Sequence, residues 1–404
     1  MTVFGWRSAE GPDGRRGVAG VVPSGGRRRA AGAPRRRRAA GAAAVAALAL
    51  TAAACGGGVG KAEASKQCTD SASGDTAWAG DAENARALAD LCKSAAKAGQ
   101  NQVVVYGAYA ELFRPIWQDF TKRYPSIKIV PKVQPPGATV SAVQSEVSSG
   151  RQIGDALMLG LESVSVSADK GLLEPFEPAT VDDLPNRYRD SKQRFYVPYG
   201  DVYGFMYNKN KMSEADVPAS MADLVSGKLK GFVLDDPGLG VISAQSLMPI
   251  YKANKLTLDQ LRGLKRNGKL VDSTRPYYDR LVTGETTMMP WASHMRHLLK
   301  QQAGAPVAFK AVPGLSSLLY GSAAVIKGAP HLDAAKLWAS WMLTPEAQKL
   351  IASKGLNTPL RPGVQTPPSW PDYHVLENAV PQIAPENFNR VLQEFLQWAK
   401  PVNS

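Results

Sequence analysis

Apolar and polar positions along the chain change period several times, and each change marks an element. Q-V-V-V-Y, residues 102–106, is a short apolar run closed by Gly107, the mark of a buried strand. Leu112, Phe113, Ile116, Trp117, Phe120 and Tyr124 then recur at helical spacing, with Pro115 tolerated in the first turn and Pro125 stopping the helix. I-K-I-V-P-K-V predicts a second strand, a proline-glycine break at 135–137 leads to a helix near 139–149, and D-A-L-M-L-G predicts a third, buried strand. Strand alternating with helix predicts an α/β fold with a mostly parallel sheet. Such sheets bind ligands beyond the carboxyl ends of their strands, and the loops there are Tyr106-Gly107-Ala108-Tyr109 and Gly160-Leu161-Glu162-Ser163.

Farther along, Ala334, Leu337, Trp338, Trp341 and Met342 form one apolar helical face. Thr344 and Pro345 suit the N-cap and first position of the next helix, and Gly355 suits its C′ position. The two tryptophans read as core rather than as ligand contacts. No internal repeat is visible, and the length past the leader suggests two domains.

Charge is concentrated at the start. The chain carries +13 formally, of which residues 1–54 hold a net +8 from ten arginines against Glu10 and Asp13. Arginines at 27–29 and 35–38, an apolar run from Ala39 to Leu50, and small residues before Cys55 have the layout of a secretory signal too short to span a bilayer. T-A-A-A-C-G-G-G resembles the lipobox of bacterial lipoproteins, departing from it in having Ala52 where leucine is commonest. That resemblance implies lipidation at Cys55, anchorage to the outer face of the bacterial cell membrane, and a polar tether over 55–79. The basicity is then a targeting signal and implies no nucleic-acid partner. Cys68 and Cys92 are left as an even pair in an oxidising compartment, which predicts one disulfide.

The order of segments from Val103 resembles the extracellular solute-binding proteins of ABC importers, in the type II branch that holds ferric-ion, polyamine, thiamine and aminophosphonate binders. The residues carrying it are V-V-V-Y-G with F-T-K-R-Y-P-S-I-K-I, G-D-A-L-M-L-G with A-D-K-G-L-L-E-P-F-E-P, V-P-Y-G-D-V-Y-G-F-M-Y-N-K-N-K-M, V-P-A-S-M-A-D-L with K-L-K-G-F-V-L-D-D-P, and K-G-A-P-H-L-D-A-A-K-L-W-A-S-W-M-L-T-P-E-A-Q-K-L-I-A-S-K-G. The resemblance implies a two-lobed type II periplasmic-binding-protein fold, each lobe a mostly parallel sheet flanked by helices, hinged at crossing segments near Pro198–Asn208 and Val307–Pro313. The lobes then divide as 80–197 with 313–404, and 198–312. Implied partners are a small solute and the permease and ATPase subunits; the expected assembly is a monomer, with no cofactor.

In ferric-binding relatives, as the resemblance has it, an adjacent tyrosine pair follows a Gly-Glu turn and a short strand. Here Gly284-Glu285 and T-T-M-M lead to Pro290-Trp291-Ala292-Ser293-His294 instead. The only adjacent pair, Tyr277-Tyr278, lies earlier, on P-Y-Y-D-R-L-V, which reads as a half-buried helical pair whose phenols point about 100° apart. The histidine expected after the first strand is replaced by Gly107-Ala108-Tyr109. Cleft positions hold Tyr106, Tyr109, Glu162, Asp201, Tyr203, Asp235 beside Asp236, and Trp291, with Trp291 the foremost ligand contact. Aromatic faces with carboxylates suit an organic cation such as a polyamine. Ser243, as the N-cap of a helix, keeps an anion such as a phosphonate as an alternative, and Fe(III) is another.

Catalysis has no constellation to rest on. Ser94–Lys97 and Ser167–Lys170 fit Ser-x-x-Lys, but the companion Ser-Asp-Asn and Lys-Thr-Gly motifs are absent from the sequence, as are H-E-x-x-H and G-x-S-x-G. His294 and His297, on a helix with Arg296 and Lys300, read as solvated. A lipid-anchored sensor or adaptor of the same fold is the rival class.

Overall fold

The structure, a computed structural model, describes residues 68, 74–235, 241–271, 278–380 and 383–403, without the side chains of residues 235, 241, 271 and 403. The leader, Cys55 and most of the tether lie outside the described residues, as do Asp236 and Tyr277.

The opening alternation forms as its periodicity predicts. α1 (Ala82–Lys97) is capped by Asp81, whose carboxylate accepts the Asn84 N–H. β1 (Gln102–Tyr106), α2 (Arg114–Arg123), β2 (Lys128–Lys132), α3 (Pro136–Ser149), β3 (Ala156–Leu157) and α4 (Leu161–Asp169) follow. β1 lies between β2 and β3 and is parallel to both. The Cys68–Cys92 disulfide fastens the chain before α1 to that helix.

β4 (Tyr196–Asn208) is the hub of the fold. After it come α5 (Met221–Val225), β5 (Phe232–Asp235), α6 (Val241–Lys252), α7 (Leu258–Asn267) and β6 (Gly268–Val271), with β5 and β6 paired in parallel as a separate sheet. α8 (Asp279–Val282), β7 (Met288–Ser293), α9 (His294–Gln302), β8 (Val307–Lys310) and β9 (Ser317–Val325) complete the middle of the chain. On one flank β4 pairs with β9 from Tyr196 to Tyr203 and with β8 from Phe205 onward. On the other it pairs with β10 (Thr358–Pro359) at Tyr199 and Gly200, then with β7 from Tyr203. Both flanks thus exchange partners around Tyr203–Phe205. These pairings, and that of β3 with β9, are antiparallel, so the parallel trio β2-β1-β3 is continued by antiparallel crossing strands into one mixed sheet.

α10 (Leu332–Trp341) and α11 (Pro345–Ser353) cover the first sheet. Trp338 and Trp341 are fully buried, meeting Trp117 and Phe120 of α2 at ring-centroid distances of 6.0 and 5.2 Å. Thr344 caps α11 through the Ala347 N–H, with Pro345 in the first turn. Gly355 is glycine for a different reason from the one its position suggested. The left-handed residue is Leu356, at φ 55°, whereas a Cβ on Gly355 would sit 2.8 Å from the Ile351 carbonyl oxygen.

α12 (Tyr373–Ala379) and α13 (Phe388–Asn403) end the chain. The last helix contacts elements from both the early and the middle parts of the chain. α13 reaches α4 through Asn389 and Asp169, and it also packs on α6 and α7, with Phe395 and Trp398 around Tyr251 at 5.6 and 4.7 Å and the Lys265 ammonium donating to the Val402 carbonyl.

Candidate functional site: a phenol cluster at the crossing strand

Strand alternation places Tyr199, Asp201 and Tyr203 of β4 on one face. Tyr199 is spent on packing, tilted against Phe113 at 5.0 Å. Tyr203, where β4 exchanges partners, is near enough to the Tyr109 and Tyr278 phenols and the Asp201 carboxyl for each of them to disfavour its ionisation. Tyr109 comes from the turn between β1 and α2, and Tyr278 from the turn that caps α8, so three separate segments deliver three phenols. The Arg296 guanidinium stands 5.4 Å over the Tyr109 ring.

The carboxyl of Asp201 is fully engaged. It accepts from the Ser293 hydroxyl and, at 3.0 Å, from the Met295 N–H. Ser293 caps α9, its Oγ accepting the Arg296 N–H at 3.1 Å, and its own N–H donates to the Tyr278 hydroxyl at 3.1 Å. Burial pushes the Asp201 carboxyl up to about 7, against the pull of these donors and of Arg296. Burial also pushes the Tyr203 phenol well above its ordinary value, and Tyr109 and Asp201 add to the shift.

A phenol in this setting stays neutral until a cation supplies compensating charge.

Other expected ligand residues are placed elsewhere or otherwise engaged. Tyr106 is buried in β1, its hydroxyl donating to Glu146 at 2.5 Å and accepting from Lys132 at 3.0 Å, so it closes the core of its own sheet. Trp291 is 1% exposed, and its indole N–H donates to the Leu315 carbonyl at 2.9 Å, so in this structure it is core. It holds a left-handed backbone, φ 53°, inside β7. Ser243 is buried within the first turn of α6, which begins at Val241, so it is not the N-cap. Glu162 is in the first turn of α4, where burial raises its carboxyl. Asp235 ends β5, and its side chain lies outside the described residues.

Two further readings are corrected. Tyr278 is not on a helical face: α8 is a four-residue stub beginning at Asp279, and Tyr278 precedes it with its hydroxyl on Ser293. His294 and His297 are not solvated. They are 5% and 6% exposed, stacked at 5.8 Å, and caged by Phe309, with Trp370 against His294. Sequence reasoning missed Ser293 and Arg296 in the site; the Ser-His-x-Arg start of a helix directly after a strand was the available signal.

Residues 116–378 match the family model for bacterial extracellular solute-binding proteins, and the chain belongs to that family. Among solved structures it resembles iron-bound HitA from Pseudomonas aeruginosa, with a TM-score of 0.65 and 22% identity over 75% of this chain and 99% of the other. It also resembles AfuA from Actinobacillus pleuropneumoniae with exogenous fructose-6-phosphate bound, with a TM-score of 0.58 and 20% identity over 74% and 98%. The fold is thus the type II periplasmic-binding-protein fold.

Among curated proteins, an uncharacterized protein of Haemophilus influenzae is 25% identical over 54% of this chain and 66% of its own. The major ferric iron-binding protein of Neisseria meningitidis is 23% identical over 48% and 61%. The Fe(3+)-binding periplasmic protein of Serratia marcescens is 23% identical over 64% and 78%. The chain spans just under two thirds of the length of the first two of these relatives.

Proposed function

We propose that this protein is the substrate-binding component of an ABC importer, anchored through Cys55 outside the cell membrane, and that its solute is ferric iron. Residues 80–197 with 313–404 would form one lobe and 198–312 the other, closing about the crossings near Pro198–Asn208 and Val307–Pro313. The convergence of Tyr109, Tyr203 and Tyr278 beside Asp201 carries the reading. Phenolate oxygens are hard donors, and a trivalent ion repays the cost of ionising buried phenols where a monovalent ammonium does not. The names of the Neisseria and Serratia relatives point the same way.

An organic cation is supported less well. The aromatic and acidic groups expected to box an amine are engaged elsewhere: Trp291 in the core, Tyr106 on Glu146, Asp201 on Ser293 and Met295.

The deciding experiment is titration of the mature chain, begun after Cys55, with ferric nitrilotriacetate. A visible phenolate-to-iron charge-transfer band is expected, weakened in Tyr203→Phe and in Tyr278→Phe. Absence of the band, together with thermal stabilisation by putrescine or a sugar phosphate, overturns the ferric assignment.

A further inference from the structure

The polar contacts around Asp201 form a chain that leads from the crossing strand to the ligand phenol contributed by the opposite flank. Asp201 sits on β4 and takes the Ser293 hydroxyl and the Met295 N–H, which fixes both the last residue of β7 and the first turn of α9. Ser293 in turn presents its N–H to the Tyr278 hydroxyl at 3.1 Å. That N–H donates to an oxygen, so the contact is kept and strengthened when the phenol becomes a phenolate. Around this chain stand Tyr109 and Tyr203 as the remaining phenols, Arg296 over Tyr109, and Tyr199 packed on Phe113.

We propose that Asp201 is the positioning residue of the phenol site: by clamping Ser293 and the start of α9 it holds Tyr278 at the distance and angle at which its oxygen meets those of Tyr203 and Tyr109. It acts through Ser293 and is not itself a ligand, because its two oxygens are already committed. The sequence offers a reason for this device. Position 278 directly precedes a helix of only four residues, and the Ser293 N–H adds a hold on its side chain from across the strand. The role in iron capture rests on the ferric reading above; the relay itself does not.

The test separates the two. With Tyr278 replaced by 3-fluorotyrosine, the ligand-free mature chain is examined by fluorine NMR alone and in combination with Asp201→Asn or Ser293→Ala. The fluorine neighbours the hydroxyl and reports its hydrogen bonding. Both substitutions are expected to move and broaden the resonance, while the melting temperature of Asp201→Asn at neutral pH stays level or rises, since a buried carboxyl is removed. In ferric titrations of the Tyr278 protein, Asp201→Asn is expected to weaken binding by about tenfold or more. A resonance unmoved by both substitutions overturns the relay whatever the protein binds. A moved resonance in a protein that takes no iron leaves the relay standing and removes the ferric reading; a moved resonance with unchanged iron affinity overturns the positioning role.

Discussion

At the scale of single residues, burial decides which aromatic and titratable groups are free to act. Trp291 illustrates the cost of mistaking one kind for the other. With its ring in the core and its indole N–H on Leu315, Trp291→Ala is expected to cost about 3 to 5 kcal/mol in urea unfolding at neutral pH. A cost under about 1 kcal/mol would return it to the cleft as a contact residue. The histidine pair makes a prediction in pH. Burial lowers His294 to about 3 and His297 to about 4, whereas an unfolded chain protonates them near ~6.5. Above that value both states are neutral and nothing is gained or lost. Below it the unfolded state takes up protons that the folded state refuses, so stability falls as pH drops, by up to about 1.4 kcal/mol per pH unit for each histidine. Urea midpoints between about pH 6.5 and 5 measure the slope, and His297→Phe is expected to shed one histidine's share of it. Such assignments were only half legible in the sequence. Tyr109 was picked out from the loop after the first strand, and Asp201 and Tyr203 from the crossing strand that the resemblance implied. Tyr278 and the burial of His294 depend on what lies across β4 and around α9, which local pattern does not encode.

At the scale of elements, the exchange of partners along β4 is what brings the phenols together, and one glycine permits it. A Cβ on Gly204 would lie 2.8 Å from Phe309 Cζ and 2.9 Å from the Lys310 carbonyl oxygen, and backbone on one side leaves little room to give. Gly204→Ala is therefore expected to destabilise by about 1 to 3 kcal/mol, read as a lower urea midpoint. It is also expected to weaken ligand binding more than a distant substitution of equal stability cost, because β8 must shift where Tyr203 is held. Helices and parallel strands were read correctly from apolar spacing, as α2 and α10 show, since each buries one continuous face. The antiparallel crossing was recognised from resemblance rather than from periodicity: β4 is buried along almost its whole length, so no alternation reveals its partners.

At the scale of the whole molecule, the proposed lobe closure must contend with α13. This helix touches α4 through Asn389 and Asp169, while Phe395 and Trp398 stack around Tyr251 of α6 and the Lys252–Glu394 pair adds an exposed contact at 3.4 Å. Phe395 is fully buried, so Phe395→Ala is expected to cost about 3 to 5 kcal/mol. The distribution of that loss is the informative quantity. If α13 fastens α6 and α7 to the rest of the fold, amide exchange in α6, α7, β5 and β6 accelerates in the variant, while α2 and α10, whose buried residues belong to a separate cluster from Phe395, keep their protection. Thermal unfolding is then expected to separate into two transitions, against one for the parent. Uniform loss of protection across both sheets would mean that α13 supports a single cooperative core and places no separate restraint on lobe movement.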